Sequence, residues 1–141
     1  MTQRESSKQP FRPSPEDAVV RYLVADAQRS VRFYTEQLGF QAEANMGATF
    51  AVVRRGRLLL LLGGPESSGA RPLSDGSSQA PGGSNRIVLF VEDLDKEIRR
   101  LQPAGVKFRN QVEKGPGGSQ IQLEDPDGNP IELHEPARPS A

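Results

Sequence analysis

The chain contains an internal repeat, and this repeat restricts the possible folds more than any other feature of the sequence. The run VVRYLVAD, which ends at Asp26, matches the run RIVLFVED, which ends at Asp93, 67 positions later. Both runs are rich in β-branched and aromatic residues, and both are followed by apolar residues at helical spacing. Two copies are too few for a solenoid, so the repeat predicts two similar modules.

Each copy predicts the element order βαβββ, and the chain therefore belongs to the α+β class. Asp26 and Asp93 are suited to capping the N-termini of the two helices, and Gly39 and Pro103 are suited to ending them. Three short strand-like runs follow each helix: residues 40–44, 49–54 and 57–62 in the first copy, and residues 106–112, 119–124 and 130–135 in the second.

The domain organisation follows from the limits of these modules. We expect one domain that contains a first module over residues 18–62 and a second over residues 85–136. Residues 63–84 are rich in Gly, Ser and Pro and have too few apolar side chains to form a core, which predicts a linker or a lid. A flexible N-terminal arm over residues 1–17 and a C-terminal tail over residues 137–141 complete the chain.

The composition excludes several classes of function. The absence of Cys excludes disulfides, thiolate metal sites and a cysteine nucleophile, and a single His excludes any site that needs two imidazoles from one chain. The chain has 18 Lys and Arg residues in total and 18 Asp and Glu residues in total, so its formal net charge is zero. Proteins that bind nucleic acids or anionic membranes carry an excess of basic residues, which this chain lacks. No signal peptide or membrane span is recognisable, and we expect a cytoplasmic protein that binds neither nucleic acid nor membrane.

Several short motifs occur in the order typical of one known family. They are VAD at 24–26, SVRFY at 30–34, LGF at 38–40, VEDLD at 91–95 and EDPDGNPIEL at 124–133. With these motifs the chain resembles the vicinal oxygen chelate superfamily, also called the glyoxalase/bleomycin-resistance/dioxygenase family, over about residues 18–136. The resemblance implies two modules whose curved sheets form a cupped, open-barrel cavity.

The resemblance also implies metal ligands on the first and last strands of each module. In this chain the first-strand positions are occupied by about Val19 and about Arg86, and the last strand of the first module has about Leu60 there. None of these side chains binds a metal, and Glu132 is the only retained ligand position. Because one carboxylate does not hold a transition metal, we expect no metal and no other cofactor, with a divalent metal as the minority interpretation.

Three polar residues are candidates for chemistry. Glu132 and His134 are two positions apart on a strand, so their side chains point to the same side and could form a catalytic acid–base pair. The alternative is a histidine near the strand end that has no chemical role. Arg86 could form a structural ion pair with Glu132, or it could bind the carboxylate or phosphate of a ligand.

Aromatic side chains could form the walls of an apolar pocket beside Arg86 and Glu132. The candidates are Tyr22, Phe50 and Phe90, with Phe50 favoured over Phe90. Ordinary core packing explains each of these aromatic residues equally well.

These observations favour a metal-independent protein that binds or sequesters a small molecule, similar to the bleomycin-resistance branch of the family. Bleomycin itself is disfavoured, because a binder of that cationic drug should be acidic and this chain is neutral. The alternative is a lyase, isomerase or dioxygenase that uses a metal or the Glu132 and His134 pair. A third possibility is a scaffold whose cavity is filled by its own side chains. Family members of this size imply a homodimer.

Overall fold

A computed structural model describes residues 12–139, which divide into two compact units with the boundary between Pro81 and Gly82. Within the described residues, the elements are β1 (Ala18–Leu23), α1 (Ala27–Gln37), β2 (Gln41–Asn45), β3 (Phe50–Arg55), β4 (Leu58–Gly63), a 3₁₀ turn (Ser68–Ala70), β5 (Ile87–Phe90), α2 (Leu94–Leu101), β6 (Lys107–Phe108), β7 (Glu113–Gly115), β8 (Gly118–Glu124) and β9 (Pro130–Pro136). Most of the predicted N-terminal arm and the last two residues of the predicted tail lie outside this range. Neither α helix in it is long and apolar enough to cross a membrane.

The first unit contains a four-stranded mixed sheet with the strand order β1-β4-β3-β2. Strand β1 runs parallel to β4, whereas β4, β3 and β2 are antiparallel to one another. Helix α1 contacts β2, β3 and β4. Residues 59–62 of β4 are all leucines and all buried, because this strand lies between two others and is covered on both faces.

The second unit contains a five-stranded mixed sheet with the order β5-β9-β8-β6, and β7 also pairs with β8. Strand β5 runs parallel to β9, and β8 is antiparallel to its neighbours. Buried and exposed residues alternate along β5, where Ile87 and Leu89 are buried and Val88 and Phe90 are exposed. The predicted α+β class and the two βαβββ modules are thus confirmed.

One predicted strand is wrong. Residues 106–112 do not form a continuous strand, because β6 contains only Lys107 and Phe108 and the separate β7 begins at Glu113. The N–H of Gln122 on β8 donates to the side-chain oxygen of Asn110, at 2.9 Å, and not to a backbone carbonyl. This side chain therefore interrupts the backbone ladder that would have continued the strand.

Both helices begin where the sequence predicts. The Asp26 carboxylate accepts a hydrogen bond from the backbone N–H of Gln28 at 2.9 Å, and the Asp93 carboxylate accepts one from Lys96 at 3.1 Å. Each cap of this kind stabilises a helix by about 1 kcal/mol. The Glu135 carboxylate on β9 also accepts the N–H of Leu94 at 2.8 Å, and this bond fixes the start of α2 to the sheet.

The segment over residues 63–84 forms hydrogen bonds within itself and with the turn before β9. The Gln79 side-chain amide donates to the carbonyl oxygens of Gly69 and Arg71, within the first unit. Gly82 donates its N–H to the side-chain oxygen of Asn129 at 2.8 Å, within the second unit. The role of the segment as a linker or a lid stays a prediction.

An ion pair connects Asp17, the residue before β1, to Arg54 on the inner strand β3 of the first sheet. Arg54 contacts Asp17 with Nη1 at 2.9 Å and Nη2 at 3.1 Å, and its Nε contacts Glu43 at 2.7 Å. The Asp17 side chain is 5% exposed. The hydrogen bonds from Arg54, helped by the backbone N–H of Ser14, lower the pKa of Asp17 from 3.8 to about 2.

We expect Asp17→Asn to lower the melting temperature at neutral pH, because the ionised carboxylate stabilises the folded chain. Since the pKa is depressed in the folded state, this contribution is complete above about pH 4 and is lost as the pH falls through about 2. Thermal unfolding followed by circular dichroism from pH 7 to pH 2 should show the gap between wild type and variant closing in that window. The exposed neighbour variant Glu16→Gln is the control, and a gap that stays constant with pH would contradict the assignment.

Candidate functional site

The strand register of the second sheet brings a set of side chains onto one face. Val88 on β5 lies opposite Glu132 on β9, and Phe90 lies opposite His134. Residues in register point to the same face of a sheet, and residues two apart on one strand do so as well. We define the open face of the second sheet by its members on β8, β9 and β5 together with the residue before β5: Arg86, Val88, Phe90, Gln120, Gln122, Glu132 and His134.

Arg86 and Glu132 form an ion pair on the open face. Both Nε and Nη2 of Arg86 lie 3.0 Å from Oε1 of Glu132, and Nη1 donates to the carbonyl oxygen of Ser84 at 3.3 Å. Glu132 is only 6% exposed, and a buried carboxylate needs a cation and hydrogen bonds to remain ionised at acceptable cost. The structure therefore contains the pair that the sequence suggested.

His134 lies between two hydrogen-bond acceptors. Its Nε2 is 3.1 Å from the carbonyl oxygen of Gly117, and its Nδ1 is 3.2 Å from Oε2 of Glu132. A neutral imidazole has one N–H and can satisfy only one of these acceptors, whereas the protonated ring satisfies both. The Gly117 carbonyl and then the Glu132 carboxylate accordingly raise the pKa of His134 above its usual 6.5.

Phe90 is the exposed aromatic residue of the open face. Its side chain is 63% exposed, and its ring meets the His134 ring edge to face, with centroids 5.3 Å apart. Val88, two residues earlier on β5, is 43% exposed. The two side chains form an apolar strip that begins next to Arg86.

The other two predicted pocket aromatics lie in the first unit, on opposite faces of its sheet. Tyr22 is in register with Leu62 and is buried. Phe50 is in register with Gly63, the next residue of β4, so its side chain points to the opposite face. It packs there against a buried apolar cluster: Ala44, Val52, Leu59 and Leu61. Tyr22 and Phe50 therefore line no common surface, and a role for either in ligand binding stays a prediction.

Gln120 and Gln122 are members of the open face that the sequence did not single out. Both side chains are half-buried, and within residues 12–139 neither side-chain amide has a hydrogen-bond partner. The alternation of Gln120, Ile121, Gln122 and Leu123 along β8 was the available signal, because it separates a polar face from an apolar one.

Residues 18–133 match the family model described as the Glyoxalase/Bleomycin resistance protein/Dioxygenase superfamily. The chain belongs to this superfamily, as its motifs predicted.

Solved structures include similar proteins with more specific names. TnmS3, an antibiotic binding protein from Streptomyces sp. CB03234, is 25% identical with a TM-score of 0.66, over 90% of this chain and 100% of that protein. A superfamily member from Sphaerobacter thermophilus DSM 20745 is 29% identical with a TM-score of 0.65, over 84% and 95% of the two chains. Lactoylglutathione lyase from Agrobacterium tumefaciens is 19% identical with a TM-score of 0.67, over 87% and 95%, and shares the fold. The comparison with curated proteins finds no match.

The register also refines the first-module position that the sequence placed at about Leu60. In the second module Arg86 lies two residues before Val88, which faces Glu132. By the internal repeat, Val19 lies two residues before Arg21, and Arg21 faces Leu61. Leu61 and not Leu60 therefore corresponds to Glu132, because Leu60 points to the other face of its sheet.

The positions under comparison are Val19, Leu61, Arg86 and Glu132, and their side chains offer few groups that could bind a metal ion. Val19 and Leu61 are alkyl, Arg86 is a permanent cation, and both oxygens of Glu132 already have partners. Within residues 12–139, no group of three or more His, Cys, Asp or Glu side chains is arranged to hold a metal ion.

His134 is the only histidine, so its imidazole signal can be followed alone in an NMR titration. We expect a pKa above 6.5 in the wild type and a lower value in Glu132→Gln, because the variant removes a negative hydrogen-bond acceptor. Because the folded-state pKa is raised, protonation stabilises the fold below about pH 6.5, and this contribution is lost as the pH rises through the folded pKa. The variant His134→Gln should lack that pH-dependent loss, and a wild-type pKa at or below 6.5 would contradict the assigned hydrogen bonds.

Proposed function

We propose that this protein binds a small molecule without a metal, and that Arg86, Glu132 and Phe90 on the open face of the second sheet belong to the binding surface. The observation that carries the proposal is the Arg86–Glu132 ion pair, which lies at two positions where the resemblance to the family implies metal ligands. A guanidinium at one of these positions repels a divalent metal and engages the carboxylate at the other. We interpret the four positions together as a lost metal site.

The exposed aromatic residue next to this ion pair supports a binding role. Ligand sites combine apolar walls with a few fixed polar groups, and Phe90 places an apolar ring that is 63% exposed beside the paired charges. The similarity to TnmS3, which is described as an antibiotic binding protein, favours a small organic molecule as the ligand. The exposure of Val88 and Phe90 also disfavours a scaffold whose own side chains fill this face.

An enzymatic role for Glu132 and His134 is the second candidate, and their 3.2 Å contact favours it. A general acid or base has to reach the reacting atom of its substrate. Both ring nitrogens of His134 are already engaged, one with Glu132 and one with Gly117. Proton transfer to a bound molecule would require one of these hydrogen bonds to break, so binding is the better supported function.

The test is a thermal-shift screen of a small-molecule library against protein treated with EDTA. We expect stabilising ligands in the absence of metal, and about tenfold weaker binding of such a ligand to Phe90→Ala, since loss of a good aromatic contact costs about 1.4 kcal/mol. Met46→Ala, which removes an apolar side chain of the first unit that is 51% exposed, is the matched control.

A metal titration of the EDTA-treated protein tests whether the function is independent of metal. Addition of Ni²⁺, Co²⁺, Zn²⁺ or Fe²⁺ should give no stoichiometric stabilisation. A stoichiometric metal that stabilises the wild type but not Glu132→Ala would reject the metal-independent function and favour the enzymatic alternative.

We also propose that the protein is a homodimer. Each sheet ends in edge strands that pair with only one other strand of its own sheet, and a two-fold contact between copies is a common way to cover such edges. Size-exclusion chromatography with light scattering should give about twice the mass of one chain, and a mass near that of one chain would contradict the prediction.

A further inference from the structure

On the open face, the cation of the ion pair is more accessible to a ligand than its anion, because the Arg86 side chain is 27% exposed and the Glu132 side chain is 8% exposed. Oε1 of Glu132 contacts Arg86 and Oε2 contacts His134, so each carboxylate oxygen already has a partner. A guanidinium has five N–H groups, and the contacts with Glu132 and Ser84 use three of them. Two N–H groups of Arg86 therefore remain to bind an acceptor.

The neighbouring strand adds neutral hydrogen-bonding groups. Gln122 lies in register with Glu132, and Gln120 lies in register with His134. Their half-buried side-chain amides have no partner within the described part of the chain, and each can donate or accept. A ligand that bears oxygen atoms would give these amides hydrogen-bond partners, so they would not be left unpaired when the ligand covers them.

The other charged groups on this side of the sheet are engaged elsewhere. Lys107 and Arg109 both contact Glu124, at 3.6 Å and 2.8 Å, and Arg109 also binds the carbonyl oxygens of Gly83 and Gly128. The exposed Glu113 lies on β7, beyond Gln120 and away from β5. Arg86 is therefore the cation that borders the apolar strip.

The strip itself selects a flat apolar group. Val88 and Phe90 follow Arg86 at successive positions on the same face of β5, so the apolar surface extends about 7 Å for each two residues. The edge-to-face contact with His134 supports the Phe90 ring from the side and leaves much of it exposed. A fused aromatic ring system can stack along this surface.

We propose that the ligand of the open face is a planar aromatic carboxylate, with its carboxylate bound to Arg86 and its rings packed on Val88 and Phe90. This inference rests on the proposed small-molecule binding function and adds the chemical class of the ligand. A cationic ligand is disfavoured because the Glu132 carboxylate is buried between Arg86 and His134, whereas Arg86 is the more exposed member of the pair. The Glu132 pairing keeps the guanidinium plane oriented while its remaining N–H groups bind the ligand.

Three molecules of the same shape and different charge test the proposal: 2-naphthoate, 2-naphthamide and 2-naphthamidine. Binding to the full chain in EDTA is measured by NMR, with the single His134 imidazole signal as a reporter inside the site. We expect 2-naphthoate to bind at least about tenfold more tightly than the neutral amide, because a hydrogen bond to a charged group contributes about 1.5–3 kcal/mol, and the cationic amidine to bind most weakly.

Variants test whether Arg86 causes the preference for 2-naphthoate over the uncharged amide. The double variant Arg86→Met/Glu132→Gln removes both charges together, so no buried charge is left without a partner and the chain is able to fold. It should bind 2-naphthoate and 2-naphthamide equally. Glu132→Gln alone should strengthen 2-naphthoate binding severalfold, because the isosteric amide oxygen still accepts a hydrogen bond from Arg86 but no longer offsets its positive charge. Lys107→Gln removes an exposed cation at the far side of the same sheet and should leave all three affinities unchanged.

The outcomes separate this inference from the proposed function. Equal binding of the three molecules, tighter binding of the amidine, or no detectable binding of 2-naphthoate would overturn the assignment to aromatic carboxylates. Each of these results would leave the proposed function standing if a library compound binds the EDTA-treated protein and loses affinity in Phe90→Ala. If no library compound binds the EDTA-treated protein, the proposed function and this inference both fail.

Discussion

The parallel pairing of the first strand with the last strand of each module decides which side chains can meet on the face of each sheet. In the second module this pairing places Arg86 within 3.0 Å of the buried Glu132 carboxylate. In the first module the equivalent pairing places Val19 and Leu61 at the corresponding positions. The same backbone arrangement therefore supports a charged pair in one unit and alkyl side chains in the other, and the sequence alone determines the difference.

Much of the fold could be predicted because its signals are local or strictly periodic. Asp26 and Asp93 cap their helices as predicted, since an N-cap depends only on the neighbouring backbone N–H groups. The predicted strand over residues 106–112 failed because the Asn110 side chain takes a backbone hydrogen bond, and a competition of this kind leaves no mark on periodicity. The sequence placed the position equivalent to Glu132 only approximately, at about Leu60, because a run of five leucines has no alternation from which to read the faces.

The candidate site could be predicted in part. Glu132 and His134 are two positions apart on one strand, and this spacing was enough to place them side by side. The second partner of His134, the Gly117 carbonyl, lies in the turn between β7 and β8. Its position beside His134 depends on the pairing of β8 with β9. Phe50 and Phe90 both sit in strands with mixed neighbours, so the sequence did not reveal that Phe50 packs into a buried cluster and Phe90 is exposed.

An arginine and a metal ion act on a bound molecule in different ways. A guanidinium keeps a positive charge and presents a planar set of N–H donors, but it offers no vacant coordination site through which a ligand oxygen could be polarised. Its geometry suits the recognition of a carboxylate, while the neighbouring Glu132 holds it in place and His134 is committed to Glu132 and Gly117. Each of these groups is fixed by another residue of the chain, and both ring nitrogens of His134 are engaged, which supports the proposed binding role.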